Sequence, residues 1–287
     1  MNNTRKLLPY FLFIIGATAF FIYFLFPSDK IKSFITVHVN KTYPGINIAV
    51  DHVKPAFPPG LRLYDVKFYH THDPLFRMEQ IKIAPGLLSL FRSKINFSFK
   101  ARAYTGTLEG RGELTKNRPE VMIDGKLSGI RIKEISAVKD VLGRNISGVL
   151  DGDFTYRNKN EFGNNLKAEL IISNGQIELL TPLLQLESLT FKKITADLAI
   201  KNMNLNIKKC RINGDQMDGS ISGSIILKNT PGQSYLKLSG TIKPHPLFTE
   251  KLGNDLPTNL LPKKIFGKNG IHIRIYGTLD NPRFFLN

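Results

Sequence analysis

Residues 94–103 read KINFSFKARA. Ile95, Phe97, Phe99, Ala101 and Ala103 fall on one parity; Lys94, Asn96, Ser98, Lys100 and Arg102 fall on the other. Side chains of an extended chain point alternately to its two faces, so this stretch reads as a strand with one apolar and one wet face. The design returns at the far end of the chain, where Ile271, Ile273 and Ile275 alternate with His272, Arg274 and Tyr276. Shorter versions occur at Ile46, Ile48 and Val50, at Leu205 and Ile207, at Ile225 and Leu227, and at Leu236 and Leu238. One-faced strands of this kind are the signature of antiparallel sheet. Leu61 and Leu63 alternate in the same way, and then Val66 and Phe68 take over on the opposite parity. That phase change at Tyr64–Asp65 predicts a bulge.

Helical periodicity is scarce. Ile31, Phe34, Ile35 and His38 fall at helical spacing between Asp29 and Lys41. Ile135, Val138 and Leu142 share a face of a second helix, over 132–142, closed by Gly143. A third, short one is expected from Pro246 to Leu252. None can serve as a crossover between parallel strands throughout the chain. A meander of hairpins is therefore expected instead of βαβ units.

A small motif recurs: glycine, any residue, Leu or Ile, any residue, glycine. It stands at Gly106–Gly110, Gly125–Gly129, Gly148–Gly152 and Gly219–Gly223, with a partial copy from Gly277. The first three copies are 19 and 23 residues apart and the fourth lies 71 further on, so this is no fixed-period solenoid. Paired glycines on a strand mark bends, bulges or close backbone approach. Their repetition predicts a sheet that curves continually.

A long sheet with one apolar face has to hide that face. It can fold over as a sandwich, pack on another protein, or curl into a trough. A trough lined with Ile, Leu and Phe suits acyl chains, and Lys and Arg on its rim suit phosphate head groups. Candidate lining residues are Ile95, Phe97, Phe99, Ile271, Ile273 and Ile275; the same six also fit an ordinary closed core.

Leu7 to Phe26, LLPYFLFIIGATAFFIYFLF, carries no charged residue. As a helix it would rise about 30 Å, the thickness of a bilayer core. Arg5 and Lys6 precede it, which predicts a cytoplasmic N-terminus and a translocated remainder. The rival is a cleaved secretory signal ending at Ala17-Thr18-Ala19, although the apolar run continues unbroken through Phe26. On the anchor reading, residues 1–27 are a cytoplasmic tip and transmembrane helix, and 28–287 are one β-domain.

The chain of 287 residues carries a net charge of +17, from 40 Lys and Arg against 23 Asp and Glu. That balance implies anionic company or simply solvated strand faces. A single cysteine, Cys210, excludes an intramolecular disulfide and a cysteine-based zinc site. The sequence contains no nucleophile elbow, phosphate loop, zincin motif or dinucleotide fingerprint. His70-Thr71-His72-Asp73 is the only cluster of metal-ligand types; with no third and fourth ligands evident nearby, it reads as a polar strand end running into the Asp73-Pro74 turn. No catalytic residue, cofactor or nucleic-acid motif is nominated, so the expected activity is binding and the protein is not expected to be an enzyme.

The layout of short basic terminus, single anchor and Gly-punctuated β-domain resembles the type II secretion system protein N family. The residues that carry the likeness are LTFKKITADLAIKN and LNIKKCRINGDQMDGSISGSIIL within 186–227, and the closing IRIYGTLDNPRFFL. They are also similar to the wider class of AsmA-like envelope proteins. The resemblance implies a mainly β protein: one N-terminal transmembrane helix, then an elongated, strongly curved antiparallel sheet, an AsmA-like groove or sandwich, with one or two short helices. It implies a single-pass inner-membrane protein with a periplasmic β-domain. Its expected role is accessory or assembly component of a type II protein secretion system, with secretin and inner-membrane platform proteins as partners. The alternative it implies is phospholipid binding and transfer between inner and outer membranes.

Overall fold

The computed structural model describes residues 3–42, 45–56, 60–70, 73–116, 120–159, 163–183, 186–246 and 270–286. By compactness the chain divides into two units, Met1–Pro85 and Gly86–Asn287. Both N-terminal helices and the first four strands fall in the first unit.

The first unit begins with helix α1, Asn3–Phe24. Its described large side chains, from Tyr10 to Ile14 and from Phe20 to Phe24, are between 58% and 76% exposed. Among the described residues no helix is long and apolar enough to cross a membrane. Helix α2, Ser28–Thr42, follows, and then strands β1 (Ile46–Ala49), β2 (His52–Ala56), β3 (Gly60–His70) and β4 (Asp73–Pro85). Strands β1 and β2 pair with the two halves of β3, and β3 pairs with β4, all antiparallel.

The core of this unit is Ile48, Val50, Val53, Leu63 and Val66, with Val66 fully buried. Ile31, Ile35 and Val39 of α2 pack against it. This i, i+4, i+8 ridge corrects the face drawn from periodicity. Phe34 is 68% exposed and stacks on His38 at the outer flank of the helix. Asn40 Oδ1 accepts a hydrogen bond from the Ile48 amide at 2.9 Å, and Lys32 Nζ donates to the Asp51 carbonyl at 2.8 Å. These bonds fix the helix on its sheet.

The phase change in β3 has a different cause from the one expected. Tyr64 faces Gln80 and Val66 faces Met78, so no residue is inserted against β4 at that point. Asp65 instead adopts φ 47°, a left-handed conformation that turns the following side chains over. Leu63 and Val66, three apart, thereby both reach the core. The register shift in this pair lies further on, between Phe68 and Tyr69.

The second unit is a meander of eleven strands in chain order. They are β5 (Lys94–Ala103), β6 (Gly106–Thr115), β7 (Val121–Arg131), β8 (Ile146–Lys159), β9 (Gly163–Leu183), β10 (Leu186–Lys201), β11 (Asn204–Gly214), β12 (Met217–Ile226), β13 (Tyr235–Pro244), β14 (Ile271–Thr278) and β15 (Pro282–Leu286). Each pairs antiparallel with its chain neighbours. Strand β9 runs 21 residues. Two hairpins turn on residue pairs with both φ positive, Tyr104–Thr105 and Asn202–Met203, the geometry that matches the twist of the flanking strands.

Between β7 and β8 the sequence predicts one helix over 132–142. The structure splits it into a single 3-10 turn, Ile132–Glu134, and helix α3, Ser136–Leu142. Ile132 is buried, which holds the turn to the sheet and breaks the helix before Ser136. Gly143 closes α3 with φ 63°, as its glycine suggested. The helix expected from Pro246 to Leu252 lies almost wholly outside the described residues.

Candidate functional site: one apolar face across eleven strands

Register decides which residues share a face. Starting from Phe99 on β5, the directly opposed residues on successive strands are Gly110, Gly125, Phe154, Ala168, Leu198, Ile207, Gly223, Leu238, Ile275 and Phe284. No member of this row carries a polar side chain. The row two residues away runs from Ala101 to Ile273 and Leu286 and is broken only by the thiol of Cys210. Burial pushes that thiol's pKa up, so it stays neutral. At about 4.8 Å between strands, ten steps make an apolar strip about 48 Å long.

The opposite face is its negative. The row beside Phe99 on that side runs Lys100, Glu109, Lys126, Asp153, Glu169, Asp197 and Lys209. Ion pairs cross it, such as Lys100 Nζ to Glu109 Oε2 at 3.0 Å and Lys94 Nζ to Glu113 Oε1 at 2.6 Å.

The glycines show which way the sheet bends. Gly110, Gly152, Gly223 and Gly240 all belong to the apolar face by register. A Cβ placed on Gly110 would fall against the Asp124 carbonyl and lie 2.8 Å from Gly125 Cα. On Gly152 it would meet the Glu169 carbonyl, on Gly223 the Lys237 carbonyl, and on Gly240 the Ser220 carbonyl. Such a Cβ stands off the apolar side, so the neighbouring backbone has risen toward that side at each point. The sheet is therefore concave on its apolar face, and the repeated glycines permit the bend. Phenylalanine rings fill the vacated space: Phe99 lies over Gly110, Phe97 over Gly112, Phe154 over Gly125 and Phe191 over Gly175. These rings replace packing that a bare glycine strand lacks.

Nothing closes the concave face within this unit among the described residues. Its strands follow one hydrogen-bonded path among the described residues. Only Ala101, Ala103, Ile130, Ile132, Phe191, Leu236 and Ile273 are buried hydrophobics there. Most of the rest of the strip is half-buried, and its β15 end, Phe284 and Leu286, is exposed.

Of the six candidates read from sequence, Ile95, Phe97, Phe99, Ile271 and Ile275 are half-buried, and Ile273 is buried. Register places all six on the one apolar face, toward opposite ends of the strip. The central residues Leu198, Ile207 and Leu238 were not singled out. Their signal was the same alternation, carried by strands whose order could not be known without the pairing.

Among the described residues no group of His, Cys, Asp or Glu is placed to hold a metal ion. Thr71 and His72 of the candidate metal cluster lie outside them; His70 Nδ1 is 3.1 Å from the Gly45 carbonyl. No family model, curated protein or solved structure matches the chain.

Proposed function

We propose that this protein acts by binding, and that what it binds on the concave face is the acyl portion of a lipid. The observation that carries this is the cross-strand row from Phe99 to Phe284, apolar at every position. An exposed apolar surface of that extent is costly in water and marks an interaction site. One bilayer leaflet is about 15 Å of hydrocarbon, so a strip of about 48 Å holds acyl chains with room along its length. Helix α1 would attach the protein to a membrane. Its uncharged run and its exposed aromatic side chains support this. The localisation that follows is the bacterial inner membrane with the β-units in the periplasm, consistent with the resemblance to AsmA-like proteins.

The test is recovery of lipid. The full chain, purified in mild detergent, is extracted with organic solvent and weighed by mass spectrometry, beside a Leu238→Arg variant. Near-stoichiometric phospholipid in the first and little in the second is expected. Equal recovery from both, or none from either, would refute the reading.

A second reading, an accessory role in type II secretion through protein partners, rests on β15. Among the described residues this strand pairs only with β14, and Phe284, Phe285 and Leu286 are 63%, 51% and 64% exposed. An open apolar edge is a template for a partner's strand. Capture of secretin or platform proteins that a proline at Phe285 abolishes would favour it.

A further inference from the structure

The other face of β14 and β15 carries a second feature. Their register opposes Arg274 with Phe285 and Tyr276 with Arg283. The two guanidinium groups and the two rings thus alternate in a square on the wet side of the sheet. Tyr276 and Phe285 meet edge to face, with centroids 6.0 Å apart. Together with Tyr235, Thr278 and Asn281 they line a hollow of about 610 Å³.

Several cations elsewhere on this face have an acidic partner: Lys94 with Glu113, Lys100 with Glu109, Lys208 with Asp197. Neither Arg274 nor Arg283 has a carboxylate within 4.0 Å among the described residues, and no acid lines the hollow. Lys237, opposite Tyr276 on β13, adds a third positive charge beside it. Two adjacent like charges without a counter-ion repel, so a sheet that brings them together gains from an anion.

Guanidinium groups present rigid forks of N–H donors that fit the oxygens of a phosphate two at a time. The aromatic walls add apolar surface for whatever the phosphate is attached to. We infer that this hollow is a binding site for a phosphate ester, held by Arg274 and Arg283 between Tyr235, Tyr276 and Phe285. The ester is a lipid head group or a soluble phosphate; the chemistry recognised is the same. The inference does not rest on the acyl-binding reading, because it concerns the opposite face.

Titration calorimetry on the full chain in non-ionic detergent tests it, with glycerol 3-phosphate in one arm and short-chain dihexanoyl phosphatidylglycerol in the other. Saturable binding is expected in at least one arm, and the tighter arm names the source. The double variant R274Q/R283Q should weaken it about tenfold or more, since hydrogen bonds to charged groups are the strong ones. R274K/R283K keeps the charge and should recover only part of the affinity. K126Q/K209Q removes the same charge elsewhere on this face and should leave binding unchanged. No saturable binding in either arm, or equal weakening by K126Q/K209Q, overturns the proposal. Because both arginines are exposed and unpaired, their loss should not unfold the sheet, which far-UV circular dichroism of each variant checks.

Discussion

Adding one methyl group at either of two glycines on the same face should move stability in opposite directions. At Gly110 a Cβ would fall against the Asp124 carbonyl, 2.8 Å from Gly125 Cα and 2.9 Å from Phe99 Cζ. Two of those three obstacles are backbone and cannot rotate away, so β6 and β7 would have to part and the local bend would open. Overpacking of this kind costs about 1–3 kcal/mol. At Gly219 the nearest atoms are the Thr241 carbonyl at 3.5 Å and Ile212 side-chain carbons at 3.7 and 3.8 Å, ordinary contact distances. There the methyl only restricts the unfolded chain, which stabilises by about 0.4–1 kcal/mol. With a urea dependence of about 2 kcal/mol per molar, Gly110→Ala should lower the unfolding midpoint by roughly 0.5–1.5 M, and Gly219→Ala should raise it by roughly 0.2–0.5 M. The assay is urea unfolding of the full chain followed at the β-sheet band of the circular dichroism spectrum. Equal midpoints for the two variants would refute the argument that inter-strand approach on the apolar side creates the concavity.

Further outcomes follow from single residues. His245 Nε2 lies 3.2 Å from Asp218 Oδ2 and its Nδ1 lies 3.0 Å from the Asp215 carbonyl, two acceptors that favour the protonated ring. The Asp218 carboxylate is the main reason its pKa is raised above 6.5, with the Asp215 carbonyl adding and Lys192 opposing. A raised pKa gives stability that is full below the unfolded value and lost as pH rises through the folded one. The midpoint gap between wild type and His245→Gln should therefore be larger at pH 5.5 than at pH 8.5; a gap that grows with pH would count against it. In the first unit, the hydrogen bond from Arg77, with Lys67 next to it, holds the Asp65 carboxyl below its usual value. That contribution is present above about pH 4 and lost as pH falls through the folded pKa. Asp65→Asn keeps a residue that tolerates the left-handed backbone, whereas Asp65→Val adds roughly 1–2 kcal/mol of strain. Unfolding midpoints of the two variants at pH 2.5 should still differ, because backbone strain does not titrate.

The sheet was legible in the sequence because each strand carries its own period-two signal. KINFSFKARA maps residue for residue onto β5, and Ile271, Ile273 and Ile275 onto β14. The turns were not legible: Tyr104–Thr105 and Asn202–Met203 lack the glycine that usually announces such a hairpin. Nor was the way Asp65 shifts the phase of β3, since a left-handed residue and an inserted one leave the same mark in a hydrophobic pattern. On α2, periodicity points to Ile31, Phe34, Ile35 and His38, whereas the sheet beneath takes Ile31, Ile35 and Val39. The glycine motif foretold curvature, but its direction followed only when register put those glycines on the same side as the phenylalanines. The phosphate hollow was hidden for the same reason: Arg274 and Arg283 become neighbours only through pairing of β14 with β15.

A sheet whose strands join only their chain neighbours also has a modular length. Inserting one more hairpin would extend the strip by about 10 Å while leaving every existing pair untouched. Deleting one would shorten it by as much without scrambling the rest. Reach in this architecture is thus a count of hairpins, adjustable by gene duplication in whole steps, and it can change while the lining stays the same.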